Sequence, residues 1–240
     1  LLVDEANSLG IKYAKTNEYF IRRCMKEYEL ADKIIVPSMY SLNTFIEHGI
    51  DRNKLELVRL DANFALSGRK DFIKQKNSFI VGSVGGNPLR KGFLYLIEAW
   101  QKLRLPKAKL LLKTSETELI RIPILWNKIK DDATIEIVGY LDNIEDFYLE
   151  CDIFCLPSID DGFGMVVFEA LACGKPVIAS ENVGASEMLT HGDTGYIVKN
   201  RDVSSIAKYI EKLYADKKLL DIMSNNALEF YDCYKRSYDN

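Results

Sequence analysis

The sequence has 240 residues, of which 48% are hydrophobic and 28% charged, a composition typical of a folded soluble protein. With 32 Lys and Arg against 35 Asp and Glu, the formal net charge is −3, so no basic excess is present to bind nucleic acid by bulk electrostatics. No apolar run approaches the roughly 18 residues of a membrane span, and two histidines are too few for a histidine-rich metal site.

The first residues and the cysteines bear on where the protein works. The sequence begins without Met and has no basic segment followed by an apolar one, so we expect a fragment without a signal peptide. Five cysteines are an odd number and include no CxxC pair. We therefore predict buried or semi-buried thiols in a reducing compartment, and hence a cytoplasmic protein without a metal centre.

Residues 1–65 contain too few predicted elements for a domain of their own. Helices are expected over 17–30 and 38–48, and strands over 33–37 and 54–60. Two parallel strands with two or three helices do not close a core. We therefore interpret residues 1–65 as the end of a second, incomplete α/β domain whose beginning is absent from this chain.

A polar stretch without clear periodicity follows over residues 61–77. Such a composition is typical of an interdomain connection, and we assign residues 66–78 as the linker.

From residue 79 onward, strand-sized apolar runs alternate with amphipathic helical segments. The predicted strands are 79–84, 108–114, 134–139, 152–157, 176–180 and 195–199, and the predicted helices are 91–103, 143–150, 165–173 and 203–214. This alternation predicts a doubly wound α/β domain with a parallel sheet over residues 79–225, followed by a C-terminal helix or tail over 226–240. Ligands of such sheets bind at the carboxyl ends of the strands.

The loop after the first of these strands combines glycines with two cations. Gly85 and Gly86 would let a ligand approach the backbone closely, and Arg90 and Lys91 stand at the predicted start of the next helix. Cations at that end of a helix oppose its dipole unless an anion lies between them. The residues alone leave open a phosphate site or a plain solvated turn, and they match neither a Walker A loop nor a GxGxxG fingerprint.

A second glycine-rich loop over 157–165 leads into the helix predicted over 165–173. The backbone amides at the start of that helix predict a second anion site that faces the first. Asp161 lies in the loop, and Glu169 lies about one turn into the helix among apolar neighbours. A carboxylate there needs hydroxyl or amide partners, which either a diol ligand or a solvated helix face would supply.

A third loop over 181–187 follows the strand predicted at 176–180. It could border the same pocket, but we favour Glu187 as an acid in the first turn of a helix. We expect His191 to belong to a polar turn and His48 to a helix end.

Four segments of the chain resemble, in order and at plausible spacing, those of one known family. They are EYELADKIIVPSMYSLNTFIEHGIDRNKLELV, RKGFLYLIEAW, PSIDDGFGMVVFEALACGKPVIAS and GASEMLTHGDTGYIVK. The chain resembles, over about residues 25–215, the GT-B glycosyltransferases of family 4, a retaining group that uses nucleotide sugars. The resemblance implies a Rossmann-like donor-binding domain joined to the end of an N-terminal acceptor domain.

The resemblance also implies roles for the residues of these loops. In this family a carboxylate, seven residues and a Glu form a binding element, which here is Asp161 and Glu169. Glu169 would bind the ribose diol, and Asp161 would bind a hydroxyl of the donor sugar. Lys91 and Arg90 would neutralise the diphosphate, and with Asp161 they are the implied catalytic side chains. The other implied donor-binding residues are Gly85, Gly86, Tyr140 beside the base, and Gly162, Phe163, Gly164, Met165 and Val166 around the sugar and phosphates.

Two positions depart from the family's pattern. Asp161 stands where a Glu is usual, and Gly82-Ser83 replaces the usual Gly-Arg pair. We expect Arg90 to take over the role of the missing arginine.

The implied activity is transfer of a hexose-type sugar from a UDP- or GDP-sugar to a hydroxyl of a glycan, lipid or protein, with retention and without metal or cofactor. The alternatives are a non-catalytic nucleotide-sugar-binding module and a sugar-nucleotide epimerase of GT-B shape. A peripheral contact with the cytoplasmic face of a membrane, through the N-terminal domain, is left open. We expect the 240-residue chain alone to bind nucleotide but to transfer sugar poorly or not at all.

Overall fold

The computed structural model describes residues 1–13, 16–60 and 78–238. The helices in these ranges are α1 (Leu2–Ser8), α2 (Glu18–Leu30), α3 (Met39–Glu47), α4 (Phe93–Leu103), α5 (Glu116–Ile120), α6 (Pro123–Ile129), α7 (Ile144–Glu150), α8 (Val166–Ala172), α9 (Val203–Ala215) and α10 (Lys217–Tyr238). The strands are β1 (Ile34–Val36), β2 (Leu55–Leu57), β3 (Phe79–Val84), β4 (Ala108–Lys113), β5 (Ile135–Val138), β6 (Ile153–Leu156), β7 (Val177–Ser180) and β8 (Gly195–Val198).

The larger sheet has a doubly wound, parallel topology. In the described part of the chain its six strands lie in the order β5-β4-β3-β6-β7-β8, and every neighbouring pair is parallel. The chain first adds β4 and β5 on one side of β3 and then returns to place β6 on the other side. This confirms the predicted fold class, and the reversal between β3 and β6 marks the place where such sheets bind ligands.

Helices bury both faces of this sheet. Every residue of β6 and β7 is buried, as expected of central parallel strands, which have no solvent face. One apolar cluster includes Phe93 and Trp100 of α4, and the other, on the opposite face, includes Phe147 and Phe168 of α7 and α8. The continuous apolar runs in the sequence reflect this two-sided burial.

Some helices differ from the sequence prediction. α1, α5 and α6 were not predicted, because they are short and carry little periodicity. α4 begins at Phe93 rather than 91, because Gly92 adopts a left-handed conformation (φ +68°) as its N-cap. α10 is continuous over Lys217–Tyr238, so the predicted boundary at residue 226 lies inside a helix.

The N-terminal region contains a separate, smaller sheet. β1 and β2 pair in parallel, as predicted, and with α3 they enclose a small cluster of buried side chains, Val36, Leu42 and Leu55. The linker predicted at 66–78 lies outside the described residues except for residue 78. The division of the chain into domains therefore stays a prediction.

The described residues contain no disulfide, and Cys151, Cys155 and Cys173 are buried. Burial raises the pKa of the Cys173 thiol to about 12. Cys233 is exposed, which corrects its predicted burial, because α10 turns Tyr231 and Tyr234 inward and Cys233 outward. Among the described helices, none has both the length and the apolar character needed to cross a membrane.

Candidate functional site

The two glycine-rich loops meet at the carboxyl edge of the larger sheet. The N–H of Ile159 donates to the carbonyl of Arg90 at 2.9 Å, and Arg90 Nε donates to the carbonyl of Asp160 at 2.8 Å. Because β3 and β6 are neighbours, the loops that follow them flank the point where the strand order reverses. The structure thus brings together the residues that the sequence had placed in two separate anion sites.

Asp161 links the cations of the first loop to the second loop. Its Oδ2 accepts a hydrogen bond from Lys91 Nζ at 2.5 Å, and its Oδ1 accepts one from Arg90 Nη2 at 3.4 Å. The side chains of Asp161 and Lys91 are 8% and 16% exposed, whereas that of Arg90 is 41% exposed. The anion between the two cations is therefore a carboxylate of the chain itself, and the cluster keeps a net charge of about +1.

Two glycines make this packing possible. A Cβ at Gly92 would overlap the carbonyl oxygen of Pro157, and its φ of +68° already disfavours other residues. A Cβ at Gly85 would overlap the Lys91 side chain, so Gly85 leaves room for the lysine stem. Gly86 faces open space. Gly85 thus acts on the site through the placement of Lys91.

The backbone from Gly162 to Val166 presents a row of amide donors beside this cluster. Considering the described residues only, none of these five N–H groups has a hydrogen-bond acceptor. The next two amides, of Val167 and Phe168, already donate to the carbonyls of Gly164 and Met165, just before α8. The amides without an acceptor thus run from the second loop to Val166, the first residue of α8, and they include the Phe163–Val166 amides that the resemblance implies for sugar and phosphate oxygens. Successive amides of this kind form anion-binding concavities.

Glu169 is held by a hydroxyl on a neighbouring helix. Tyr148 of α7 is fully buried, and its hydroxyl donates to Glu169 Oε2 at 2.6 Å. Burial and the nearby Glu169 charge raise the pKa of Tyr148 well above its ordinary value, so the hydroxyl remains a donor at neutral pH. This partner of Glu169 was not predicted from the sequence. The available signal was a Tyr, rather than a Phe, on the apolar face of the helix predicted at 143–150.

Three positions discussed above lie apart from this cluster. Tyr140 follows β5, two strands away from β3, and is 87% exposed. The Phe163 ring is buried and stacks on Phe168 with centroids 5.5 Å apart, so Phe163 can offer a ligand only its backbone. Ser83, which stands where the family usually has an arginine, is fully buried within β3.

The first turn of α3 contacts the second loop, which the sequence did not predict. The hydroxyls of Ser38 and Ser41 both donate to the carbonyl of Gly162, at 2.6 and 2.8 Å. The hydroxyl of Tyr40 donates to Asp160 Oδ1 at 2.9 Å. The sequence signal was the hydroxyl-rich start of the helix at 38–41, but serine caps helices so often that no ligand or loop contact follows from it.

Glu187 contacts the same turn from the third loop. It lies, as predicted, in the first turn of a short helix, the 3₁₀ helix Gly184–Met188. Its Oε2 also accepts a hydrogen bond from the N–H of Met39 at 2.9 Å. A carboxylate at the N-terminal end of α3 is favourable because of the helix dipole. Glu187 thus joins the two regions of the chain.

Both histidines have local structural contacts. His191 Nδ1 accepts from the N–H of Ile197 at 3.1 Å in a turn, and His48 Nδ1 lies 2.8 Å from the carbonyl of Thr44 at the end of α3. Across residues 1–13, 16–60 and 78–238, no group of three or more His, Cys, Asp and Glu side chains could hold a metal ion.

The fold is a doubly wound α/β sheet, and the loops that carry Arg90, Lys91 and Asp161 meet where its strand order reverses. The profile of the family described as "Glycosyl transferases group 1" matches residues 67–230. The chain belongs to this family.

Individual relatives are longer than this chain. N-acetyl-alpha-D-glucosaminyl L-malate synthase of Bacillus anthracis is 33% identical over 122 residues, which are 51% of this chain and 32% of that protein. The capsular polysaccharide biosynthesis glycosyltransferase CapM of Staphylococcus aureus is 30% identical over 201 residues, which are 81% of this chain and 50% of that protein. The chain thus spans half or less of the length of these two relatives.

Solved structures share the fold. The crystal structure of Anabaena HepE in complex with UDP and glucose superposes with a TM-score of 0.74 at 22% identity, covering 88% of this chain and 63% of that one. Sucrose-phosphate synthase from Thermosynechococcus elongatus gives a TM-score of 0.73 at 22% identity, covering 98% and 62%. At this level of identity the likeness shows the fold alone.

Proposed function

We propose that the chain is the donor-binding part of a retaining glycosyltransferase. The whole protein would move a hexose-type sugar from a UDP- or GDP-sugar to a hydroxyl of a glycan, lipid or protein. The observation that supports this is the contact of Lys91 and Arg90 with Asp160 and Asp161, directly before the Gly162–Val166 amides, at the reversal of the sheet. A diphosphate is bound well by cations and backbone amides together.

The cluster suits a diphosphate leaving group. As the bond between sugar and phosphate breaks, negative charge grows on the diphosphate and must be stabilised. Lys91 has three N–H donors, of which the contact with Asp161 uses one, so others can reach a phosphate oxygen. Arg90 adds a partly exposed guanidinium on the same side. In this proposal the side chains and amides provide the stabilisation, and no metal ion is needed.

The two carboxylates would bind the hydroxyls of the donor. Tyr148 holds one oxygen of Glu169, and we propose that the other accepts from the ribose diol. Asp161 would accept a hydrogen bond from a hydroxyl of the donor sugar. An ionised carboxylate has about four lone-pair sites, and the contacts with Lys91 and Arg90 use two of them. No protein nucleophile is assigned.

The base and the acceptor would lie on either side of this cluster. The loop 138–140, with its exposed Tyr140, is proposed to lie against the base. The acceptor would bind to the N-terminal domain, of which residues 1–65 would be the end. We place the protein in the cytoplasm, where a contact with the membrane face would be made through that domain.

Calorimetric titration of the 240-residue chain with UDP and GDP tests the proposal. We expect one of them to bind, and Lys91→Ala to weaken that binding about 10- to 100-fold, because a charge-assisted hydrogen bond to the diphosphate is lost. Lys109→Ala is the matched control, since this lysine is half-exposed and pairs with Glu136 at 3.1 Å near the start of β4. Binding of neither nucleotide would refute the proposal.

A donor-turnover assay tests the expected dependence on the N-terminal domain. We expect the chain to release little free nucleotide from UDP- or GDP-sugars, whatever acceptor is offered. Robust turnover by this chain alone would contradict that expectation.

A further inference from the structure

The carbonyl of Gly162 is held from outside the larger sheet. It accepts the hydroxyl of Ser38 at 2.6 Å and that of Ser41 at 2.8 Å, so both of its lone pairs have a donor. Ser38 is fully buried and also caps α3, since its Oγ accepts from the N–H of Ser41 at 3.0 Å. The two hydroxyls therefore have fixed positions at the start of a helix.

The packing around this carbonyl leaves no room for adjustment. A Cβ at Gly184 would overlap both the Gly162 oxygen and Ser38 Oγ. A Cβ at Gly162 would lie 3.1 Å from Ser41 Oγ. Two glycines thus allow α3, the 3₁₀ helix and the second loop to approach one another at this point.

The direction of this carbonyl determines the direction of the next amide. The peptide unit between Gly162 and Phe163 is planar and trans, so its C=O and N–H point in opposite directions. Since two hydroxyls pull the C=O toward α3, the N–H of Phe163 points away from α3. That N–H belongs to the amide row proposed to bind the diphosphate.

We propose that Ser38 and Ser41 are positioning residues, which fix the Gly162 carbonyl and thereby orient the Phe163 N–H, within the Gly162–Val166 amides, for the diphosphate of the donor. This inference rests on the proposed function. It makes the start of α3, an element of the N-terminal region, part of the donor site although neither serine need touch the ligand. The alternative explanation is that these hydrogen bonds only hold the N-terminal region against the larger domain. In that case, removing a serine hydroxyl would weaken the binding of a nucleoside and of its diphosphate equally.

Ser41→Ala tests the inference most cleanly, because it removes one donor to Gly162 and leaves the Ser38 cap of α3 in place. The affinities for UDP and for uridine are measured with the full chain, or for GDP and guanosine if the chain prefers guanine. We expect UDP binding to weaken about three- to tenfold, which is the effect of one hydrogen bond. Uridine binding should stay unchanged, because the lost bond orients only the amide proposed to donate to phosphate. The double variant Ser38→Ala/Ser41→Ala should bind UDP more weakly still.

Two further variants separate positioning from structure. Ser41→Thr keeps the hydroxyl and should bind UDP as the wild type does. Thr44→Ala removes a hydroxyl of the same helix that donates to the Tyr40 carbonyl, and it should change neither affinity. Equal losses for UDP and uridine, or no loss for UDP, would overturn the positioning role while the proposed function stands. A wild-type chain that binds neither UDP nor GDP would overturn both.

Discussion

Both sheets of this protein consist of parallel strands, but they differ in how much apolar side chain is buried around them. Residues 78–238 surround a six-stranded sheet with two large apolar clusters on its opposite faces. Residues 16–60 contain a two-stranded sheet, a small buried cluster around Leu42, and a helix, α2, with no buried residue. The first region has a core that can stabilise it alone, whereas the second lacks one.

The contacts between the two regions are correspondingly polar. Ser38, Ser41 and Tyr40 donate to the loop at 160–162, and Glu187 accepts from the start of α3. Directional hydrogen bonds fix the placement of a small region more sharply than they stabilise it, since each contributes only about 1 kcal/mol net. Most of the stability therefore resides in residues 78–238, while contacts from residues 16–60 set part of the site geometry.

The largest expected difference between the regions comes from their cores. Phe154→Ala, in the fully buried strand β6, should lower the free energy of unfolding by about 3–5 kcal/mol. Leu42→Ala should cost about 2–3 kcal/mol and loosen only residues 16–60, because its cluster does not extend into the larger sheet. Hydrogen exchange resolved by region measures both. If Leu42→Ala destabilises β3 and β6 as much as β1 and β2, the two regions unfold as one unit and the comparison fails.

Gly184→Ala should give an intermediate effect at the contact between the regions. The added Cβ would overlap Gly162 and Ser38, so α3 must move away from the second loop. We expect a loss of about 1–3 kcal/mol, in the range of overpacking substitutions, and faster hydrogen exchange in α3 than in β6. The control is Gly86→Ala, because a Cβ there meets nothing within 4 Å. Unchanged exchange in α3 would show that this contact does not hold the N-terminal region.

The smallest expected losses of stability come from removing two helix caps. Asp202 caps α9 by accepting from the Ser205 hydroxyl and N–H, at 2.6 and 3.0 Å. Asn17 caps α2 by accepting from the N–H of Tyr19 at 2.8 Å. Either residue changed to Ala should cost about 1 kcal/mol. For Asp202 the cost should appear in global unfolding, because α9 packs on the larger sheet, and for Asn17 only in α2.

The two caps should also differ in pH dependence. The hydrogen bonds from Ser205 lower the pKa of Asp202 in the folded state. Its stabilisation is therefore complete above the unfolded pKa of about 3.9 and is lost as the pH falls through the lower folded value. Thermal melts from pH 7 to pH 2 should show the Asp202→Ala difference shrink at low pH, while the Asn17→Ala difference in the hydrogen-exchange protection of α2 stays constant. A pH-independent Asp202 effect would contradict this.

Much of the fold was predictable because it depends on local patterns. Apolar runs such as 152–157 and 176–180 predicted fully buried parallel strands, and the helical spacing at 203–214 predicted α9. Short helices such as α5 and α6 were not predicted, because about two turns are too few to show a helical periodicity. Of the site, the sequence indicated that Arg90, Lys91 and Asp161 stand in or beside glycine-rich loops and that Glu169 stands in the helix after one of them, while their roles toward a donor stay a proposal.

Local sequence patterns specify the class of fold and the kinds of side chain at the strand ends, since burial periodicity and glycine placement are properties of neighbouring residues. The partners of these side chains are set by tertiary contacts. Lys91 meets Asp161 across 70 residues of chain, Tyr148 meets Glu169 across 21, and Ser38 meets Gly162 across 124. Such pairings follow from the order of strands in the sheet and from the docking of α3, and no local pattern in the sequence records either.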